Sequence, residues 1–238
     1  MISAQRITKS FGAFHALKDI SFEINSGRIT GIIGENGAGK TTILRILAGT
    51  IRQNSGRIIF ENHEIDIDDR RVATTLLFGG SPGLYDELTA FDNIMYFARL
   101  RGLNKNEAVN RISELSKRFE MESFLNKKAR ELSTGMKQKV AIVRALIHNP
   151  SVIMLDEPET GLDFAASALL SNFLIESASC GKTVIISSHS AGVILDLCAD
   201  VIVLKKGMVM STCSLKKEMD GKTLEESFRF VRSLVIGK

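Results

Sequence analysis

The stretch "GENGAGKTT" at residues 34–42 decides the fold class of this chain of 238 residues. It matches the pattern G-x-x-x-x-G-K-[ST], follows an apolar run at 28–34 that we predict to be a strand, and leads into a helical run that ends near Gly49. Gly37 and Gly39 carry no side chain, so backbone N–H groups in such a loop can surround a phosphate chain. The N-terminus of the helix adds the positive end of its dipole. The stretch therefore predicts a phosphate-binding loop between a strand and a helix.

The end of this loop supplies two side chains with specific roles. Lys40 is expected to reach the β- and γ-phosphates of a nucleoside triphosphate, and Thr41 to offer its hydroxyl oxygen to Mg²⁺. The alternative is a glycine-rich turn without a ligand, which the flanking strand and helix disfavour. The predicted nucleotide-binding residues of the loop are Gly34, Glu35, Asn36, Gly37, Ala38, Gly39, Lys40, Thr41 and Thr42.

Two adjacent acids end a second apolar run, "VIMLDEP" at residues 152–158. In open α/β sheets, ligands bind at the carboxyl ends of the strands, which is where we expect Asp156 and Glu157 to lie. Successive residues of a strand point to opposite faces, so the two carboxylates should have different roles. We predict that Asp156 holds Mg²⁺ and that Glu157 activates the attacking water.

Strands and helices alternate on both sides of a segment that is predicted to be all-helical, at about residues 84–149. In this segment Thr89 with Asp92, and Asn104 with Glu107, have the spacing of helix N-terminal caps. We predict an α/β fold of the P-loop NTPase type, with a mostly parallel sheet, an N-terminal antiparallel β subdomain and this helical insertion. The other predicted strands are residues 20–24, 56–65 (an edge strand or hairpin arm), 74–80, 151–155, 182–187 and a pair in 200–212 that turns at Lys206–Gly207.

Composition and cysteine spacing disfavour several classes of protein. The net charge is +4 without a long basic run, so nucleic acid is permitted but not indicated as a partner. Cys180, Cys198 and Cys213 are odd in number and form no C-x-x-C pair, which favours a reducing compartment over a disulfide framework or a zinc site. No secretory signal and no apolar run of about 18 residues is found. We expect a cytoplasmic chain that depends on another polypeptide for any membrane span.

The order of the motifs resembles the nucleotide-binding domain of ATP-binding-cassette (ABC) transporters, over about residues 1–212. That order is the phosphate loop, the helical insertion, "LSTGMKQ", "IMLDEP", "TGLD" and "ISSH". "LSTGMKQ" is similar to the family signature Leu-Ser-Gly-Gly-Gln: Leu132, Ser133 and Gly135 match it. Thr134 and Met136 depart from it. Residues 213–238 are expected to be a short C-terminal extension, to which no role is assigned.

The resemblance implies that the signature of one subunit faces the γ-phosphate held by the phosphate loop of another. Ser133 and the backbone of Gly135 would donate hydrogen bonds to that phosphate, aided by the helix dipole. The alternative reading is that Ser133 only caps its helix. Asp163 in "TGLD" resembles the aspartate that communicates across the dimer, and His189 in "ISSH" resembles the histidine that contacts the γ-phosphate.

At two further family positions, this chain has either two candidate residues or a different residue. Phe11 resembles the aromatic residue that stacks on adenine, with Phe14 as the competing candidate. The glutamine that the family normally has before the helical insertion, where it touches Mg²⁺ and senses the membrane partner, aligns with Gly80 in "LLFGGSPGLY". Some exporter-type cassettes, including sodium- and drug-exporter-like ones, resemble this paired-glycine variant, and paired glycines suit a hinge.

The resemblance implies an ATPase subunit at the cytoplasmic face of a membrane. Two such domains, which can be two copies of this chain, would close head-to-tail around two Mg·ATP and open after hydrolysis. This cycle would drive transmembrane permease subunits, and export is the favoured direction of transport. Other classes are a soluble ABC ATPase acting on nucleic acid or ribosomes and a scaffold that binds ATP without hydrolysing it. A GTPase is disfavoured, because no Asn-Lys-x-Asp motif occurs.

Overall fold

Two β-sheets form the centre of the molecule. The computed structural model describes residues 1–61, 63–79, 83–158, 160 and 162–236. Its strands are β1 (Ile2–Phe11), β2 (Phe14–Ile24), β3 (Ile29–Ile33), β4 (Ser55–Phe60), β5 (His63–Glu64), β6 (Thr74–Phe78), β7 (Val152–Asp156), β8 (Thr183–Ser187), β9 (Asp200–Lys205) and β10 (Met208–Ser214).

Helices cover the sheets and form a separate layer beside them. Within the described ranges, none of them combines the length and the apolar character that crossing a bilayer requires. They are α1 (Lys40–Leu47), α2 (Ile67–Ala73), α3 (Ala90–Leu100), α4 (Lys105–Arg118), α5 (Thr134–Leu146), α6 (Phe164–Ser179), α7 (Ala191–Leu197), α8 (Leu215–Glu218) and α9 (Leu224–Ile236), with a 3₁₀ turn at Ala129–Glu131.

The larger sheet has the strand order β10-β9-β3-β8-β7-β6 and is parallel except for β10. Every residue of β3, β7 and β8 is buried. This burial explains why their sequences are continuously apolar, since both faces of a central parallel strand are covered. The carboxyl ends of the three strands meet at one edge of the sheet, so the residues after Ile33, Asp156 and Ser187 come together there. The predicted mostly parallel sheet is confirmed.

The smaller sheet is antiparallel, with the order β2-β1-β4-β5. The predicted hairpin arm at 56–65 is confirmed as β4 and β5, and the predicted strand at 20–24 is the second half of β2. β1 was not among the strands predicted from the sequence. Apolar residues of both sheets and of α1 share one core, for example Ile7, Ile32 and Leu44. This shared core holds the phosphate-loop region against the antiparallel sheet.

The helices α3, α4 and α5 lie within the segment predicted to be helical. The Thr89 hydroxyl accepts a hydrogen bond from the N–H of Asp92 at 3.0 Å, and Asn104 and Glu107 form a reciprocal capping box, so both predicted caps are confirmed. α5 packs against α3 and against β6, the edge strand of the larger sheet. The helical layer is thus joined to the sheet at the side opposite β10.

The C-terminal helix α9 packs on α7, an arrangement that was not predicted from the sequence. Val231 of α9 is fully buried in the same core as Ala191 and Ile194 of α7. α7 begins two residues after His189. Residues 215–236 are therefore built into the core of the parallel sheet rather than forming a separate appendage.

Candidate nucleotide-binding site

The loop between β3 and α1 has the geometry of a phosphate cradle. Gly34, Gly37 and Gly39 have φ of 152°, 78° and 108°, in the region that favours glycine. A Cβ on Gly34 would lie 2.2 Å from the carbonyl oxygen of Leu204, whereas nothing lies within 4 Å of a Cβ on Gly37. No side chain caps the N-terminus of α1. Its N–H groups therefore remain available to an anion.

Lys40 is buried at the centre of this loop. Its side chain is 6% exposed, and its Nζ donates hydrogen bonds to the carbonyl oxygens of Gly34 at 2.8 Å and of Glu35 at 3.2 Å. An ammonium group has three N–H donors, so one can still be directed toward a phosphate. The loop carbonyls thus hold the cation close to the place where the phosphate chain is predicted to lie.

The predicted Mg²⁺ ligands Thr41 and Asp156 lie side by side. The hydroxyl of Thr41 donates to Oδ2 of Asp156 at 2.6 Å, and the hydroxyl of Ser187 donates to Oδ1 of the same carboxylate. A hydroxyl and a carboxylate at this spacing suit a cation that takes oxygen ligands and fills its shell with phosphate and water. In the described part of the chain, no group of three or more His, Cys, Asp or Glu is placed to hold a metal.

Ser187 was not among the predicted site residues. It is the last residue of β8, as Asp156 is the last residue of β7, and the two are paired in the sheet. The terminal serines of "TVIISS" were the only signal in the sequence, and a serine at a strand end is too common to predict a contact.

Glu157 and His189 form the second pair of the site. Oε1 of Glu157 and Nδ1 of His189 lie 3.2 Å apart, and both side chains are accessible. Glu157 has φ +52°, which is uncommon for a residue with a side chain. The two adjacent carboxylates do contact different partners, but strand alternation was the wrong reason. β7 ends at Asp156, and the left-handed backbone of Glu157 leads its side chain away from the strand.

The signature residues lie at the start of α5. Ser133 caps the helix, since its Oγ accepts a hydrogen bond from the N–H of Met136 at 3.3 Å. A Cβ on Gly135 would lie 3.2 Å from Oδ2 of Asp163, whose Oδ1 caps α6 through the N–H of Ala166 at 2.8 Å. A close approach at Gly135 is therefore observed, and the approaching group is Asp163. The predicted signature glycine and loop aspartate lie together.

The signature and the phosphate loop of one chain lie on different parts of the sheet. The loop follows β3, and α5 packs at β6, which lies three strand positions away in the order β3-β8-β7-β6. Neighbouring strands are about 4.8 Å apart, so this offset is roughly 14 Å. Lys40, Thr41, Asp156, Glu157 and His189 are brought together at one edge, whereas Ser133, Gly135 and Asp163 form a second group.

The candidate adenine-stacking residues lie at the end of the β1–β2 hairpin. Phe11 and Phe14 are paired across the hairpin and are 50% and 62% exposed. Both rings are accessible, so Phe14 stays the competing candidate for adenine stacking. Nζ of Lys9 lies 5.1 Å from the ring centroid of Phe11. Gly80, the predicted glutamine position, lies outside the described residues.

The predicted turn at Lys206–Gly207 is confirmed, and its contact with the phosphate loop was not foreseen. The N–H of Gly207 donates to the carbonyl oxygen of Ala38 at 3.0 Å, and its own carbonyl accepts from the N–H of Lys18 at 2.7 Å. Gly207 has φ +79°, and a Cβ there would lie 2.6 Å from the carbonyl oxygen of Ala16. One glycine thus joins the phosphate loop to β2, the strand of the aromatic hairpin.

A groove of about 560 Å³ separates the edge of the larger sheet from the helical layer. β6 lines one side, and α3 and α5 line the other. The groove contains Arg71, Arg101 and Arg144 next to Phe78 and Phe97, and no Asp or Glu among the described residues lines it. Burial lowers the pKa of Arg101 and of Arg144. The groove therefore combines aromatic surface with partly desolvated positive charge.

Comparison with known proteins places these features in one family. Residues 17–160 match the sequence profile described as ABC transporter. The chain is 40% identical over 225 residues to the ABC transporter ATP-binding protein NatA of Bacillus subtilis (strain 168), over 93% of this chain and 92% of that protein. It is 32% identical over 229 residues to the lantibiotic transport ATP-binding protein SrtF of Streptococcus pyogenes, with 96% of each covered.

A solved structure adds an example of assembly. The ATP-binding cassette MJ0796, in a dimeric post-hydrolysis state bound to ADP and Pi, has a TM-score of 0.77 to this chain. The two are 28% identical, and the match covers 90% of this chain and 98% of that one. The family match spans both the phosphate loop and the start of α5.

Proposed function

This chain belongs to the ABC transporter family and is an ATP-hydrolysing subunit that powers membrane transport, and we propose that two copies of it close head-to-tail around two Mg·ATP. One observation carries the proposal. The side chains suited to phosphate chemistry converge at one edge of the sheet, whereas α5, which begins at the signature, packs at β6, three strand spacings or about 14 Å from β3. A second chain can bring its signature to the first chain's phosphates.

The residues that bind the triphosphate follow from their contacts. The N-terminus of α1 and Lys40 bind the β- and γ-phosphates, because Lys40 is already buried over the loop. Thr41 and Asp156 would hold Mg²⁺, which when bound neutralises negative charge on the phosphate oxygens. Ser187 holds the Asp156 carboxylate in place through Oδ1. Phe11 stacks on the adenine at the exposed end of the hairpin.

Glu157 is the general base for hydrolysis. Its carboxylate accepts a proton from a water molecule as the water oxygen attacks the γ-phosphorus. The bond between that phosphorus and the bridging oxygen breaks, and ADP leaves with the electron pair. His189 contacts Glu157 at 3.2 Å and therefore orients the carboxylate, while its ring is accessible to a γ-phosphate oxygen.

The partner's Ser133 and Gly135 complete each site. The hydroxyl of Ser133 and the N–H groups at the start of α5 donate hydrogen bonds to the γ-phosphate, where charge develops during hydrolysis. Asp163, next to Gly135, carries the state of one site toward the other. Once the γ-phosphate is cleaved, these donors lose their shared acceptor, so the dimer opens.

Replacing Glu157 by Gln tests this scheme. The amide keeps the size of the side chain but cannot accept a proton, so the variant should bind ATP, accumulate as a dimer in size-exclusion chromatography and lose turnover by ~100-fold or more. The matched control is Glu122→Gln at an exposed position, which should behave like the wild type. Hydrolysis by the Glu157 variant at the wild-type rate would show that the base assignment is wrong.

The membrane partner is a permease that docks in the groove between β6 and the helical layer, at the cytoplasmic face. Aromatic surface and three arginines suit a partner segment that carries apolar side chains and carboxylates. Arg101→Glu should therefore abolish co-purification with the permease, whereas Arg6→Glu on the exposed face of β1 should not. Retained co-purification of the Arg101 variant would move the docking site elsewhere.

Transport runs outward in this proposal. The support is the pair Gly79–Gly80, which resembles exporter-type cassettes. The complex reconstituted in inside-out vesicles should accumulate cargo on addition of ATP and Mg²⁺. Depletion of cargo that had been preloaded into the same vesicles would identify an importer instead.

A further inference from the structure

Gly79 lies directly against the peptide of Glu157. Its N–H donates to the carbonyl oxygen of Asp156 at 2.9 Å, so it extends the pairing of β6 with β7 by one residue. A Cβ built on Gly79 would lie 2.2 Å from the carbonyl oxygen of Glu157 and 2.9 Å from Cβ of Thr160. Gly79 does not have a positive φ, so its backbone conformation does not require glycine. The close approach to Glu157 requires it.

The peptide that Gly79 touches sets the direction of the Glu157 side chain. Glu157 is held at φ +52° by two hydrogen bonds: its N–H donates to the carbonyl of Ser187 at 3.0 Å, and its carbonyl accepts from the N–H of Thr160 at 3.1 Å. Gly79 packs on that same carbonyl. Because the left-handed backbone turns the carboxylate toward His189, a shift of this carbonyl rotates the carboxylate away.

Gly79 also adjoins the helical layer along the chain. Three residues separate it from Gly83, whose carbonyl accepts a hydrogen bond from Nη1 of Arg144 on α5 at 2.7 Å. Each residue spans at most about 3.6 Å, so this three-residue tether keeps Gly79 within about 14 Å of Gly83. Gly80, within that tether, has no side chain with which to contact the site.

We propose that Gly79 is a positioning residue for Glu157, which fixes the placement of the base through its close contact with the Glu157 carbonyl. The inference rests on the proposed role of Glu157.

The test is Gly79→Ala, measured in the full-length chain. An added methyl group would force the Glu157 carbonyl to move by about 1 Å to reach a normal C···O separation of ~3.3 Å. A misplacement of that size costs up to about 100-fold in rate. We expect kcat to fall ~30–100-fold, with KM and the Kd for a fluorescent ATP analogue nearly unchanged, and the Tm to fall because the collision is with backbone.

The control is Gly83→Ala, at the other end of the tether. Gly83 has φ +54°, and nothing lies within 4 Å of a Cβ there, so this change stiffens the backbone without a collision. Its kcat should stay within about twofold of the wild type, because no contact with Glu157 is altered. An equal loss of kcat in both variants would show that hinge stiffness, and not the Gly79 contact, controls the rate.

A second variant keeps the proposal testable if Gly79→Ala does not fold. Thr160→Gly removes the Cβ that packs on Gly79 and loosens the contact, so kcat should fall several-fold at unchanged KM. Unchanged kcat in either variant would overturn the inference, as would a parallel loss of ATP affinity. Glu157→Gln in the same assay distinguishes the role of Glu157 as the base from the role of Gly79 in positioning it. An active Glu157 variant contradicts the proposed function, whereas an active Gly79 variant contradicts only the inference.

Discussion

Two helices of this protein begin next to a glycine, and they differ in what surrounds their N-termini. α1 begins at Lys40 with no side-chain cap, and the Lys40 ammonium group, Thr41 and Asp156 lie beside its first turn. α5 begins with a serine cap, and the group closest to its glycine is Asp163. A helix N-terminus near a glycine thus has a cation of its own chain beside it in α1 and a carboxylate beside it in α5.

This difference indicates whether the groups that bind an anion at each helix come from the same chain or from another molecule. The start of α1 has a cation, a hydroxyl and a carboxylate from its own chain, so it can bind a triphosphate unaided. At the start of α5, the group closest to Gly135 is the Asp163 carboxylate, and the Lys137 ammonium group of the first turn is paired with Asp86 at 3.8 Å. The donors of α5 are useful only if another molecule presents an anion to them, which is the physical argument for the second copy of the chain.

The largest expected effect separates a cap from a ligand contact at Ser133. Ser133→Ala should lower ATP hydrolysis ~100-fold, because a donor to the γ-phosphate is lost, and should cost about 1 kcal/mol of unfolding free energy, because the cap is lost. Ser133→Asp keeps the cap and places a negative charge at the phosphate, so stability should be retained while hydrolysis is lost. Steady-state ATPase assays and urea unfolding measure the two quantities.

The matched control for Ser133 is Thr89, which caps α3 in the same helical layer. Thr89→Ala should cost a similar free energy of unfolding and leave hydrolysis intact. If Ser133→Asp hydrolysed ATP normally, Ser133 would be a cap only.

A mixing experiment tests the head-to-tail arrangement. A mixture of inactive Lys40→Ala and Ser133→Ala chains should recover about a quarter of the wild-type rate, because half of the dimers are mixed and each mixed dimer has one intact site of two. Absence of recovery would contradict shared sites.

A smaller effect is expected at Gly207, whose N–H bonds to the phosphate loop that precedes α1. Gly207→Ala adds a Cβ 2.6 Å from the carbonyl oxygen of Ala16 and should displace the turn that bonds to Ala38. We expect the Kd for ATP to rise ~10-fold with little change in kcat, because the loop is displaced and the base is not. Fluorescent-nucleotide titration and ATPase kinetics measure this separation.

Gly102→Ala is the matched control for Gly207. Gly102 has φ +85°, close to the +79° of Gly207, and nothing lies within 4 Å of a Cβ there. Both variants should lose about 1 kcal/mol of unfolding free energy through backbone strain, and Gly207→Ala should lose more because of its collision with Ala16. Only the Gly207 variant should lose ATP affinity. Equal losses of affinity would attribute the effect to strain in general.

The sequence predicted those parts of the site that are local in the chain. The strand, glycine loop and helix around Lys40 lie within 20 residues, and the caps at Thr89 and Asn104 depend on partners three residues away. The two acids at 156–157 could be placed because an apolar run ends there. Each of these features is decided by neighbouring residues, so periodicity and spacing are sufficient to find it.

Contacts between distant segments could not be predicted in the same way. The hydroxyl of Ser187 reaches Asp156 only because β7 and β8 are neighbours in the sheet, and Gly79 reaches Glu157 only because β6 is the next strand. The left-handed backbone of Glu157 has no sequence signal, since glutamate rarely adopts it. The packing of α9 on α7 likewise depends on the assembled core. Strand order, which single-sequence patterns do not specify, decides all of these.

The smallest expected effect lies at the other end of α5, beside His148. A histidine near a helix C-terminus is usually favoured in its charged form by the dipole, yet burial lowers the pKa of His148 to about 4, assisted by the positive charges of Arg101 and Lys182. Its Nε2 lies 3.3 Å from the carbonyl oxygen of Thr74. Desolvation therefore outweighs the dipole at this position.

The lowered pKa gives a definite sign to the pH dependence of stability. In the unfolded chain the imidazole takes up its proton near pH 6.5, whereas in the folded chain it stays neutral until about pH 4. The unfolded state therefore gains protons first, and the contribution of His148 to the free energy of unfolding falls as the pH drops from about 6.5 to about 4. We expect a loss of about 1–2 kcal/mol, below the full linkage value because the ring is only partly buried.

Urea unfolding at pH 7.5 and pH 5.0 measures this loss, and His148→Gln should remove the corresponding part of it. His63→Gln, at an exposed position on β5, should leave the pH dependence of the wild type unchanged. An unaltered pH dependence in the His148 variant would mean that the imidazole is well solvated. In that case, water would enter the groove that His148 lines with Arg101 and Arg144 more freely than its geometry indicates. The end of α5 would then be as accessible to solvent as its start.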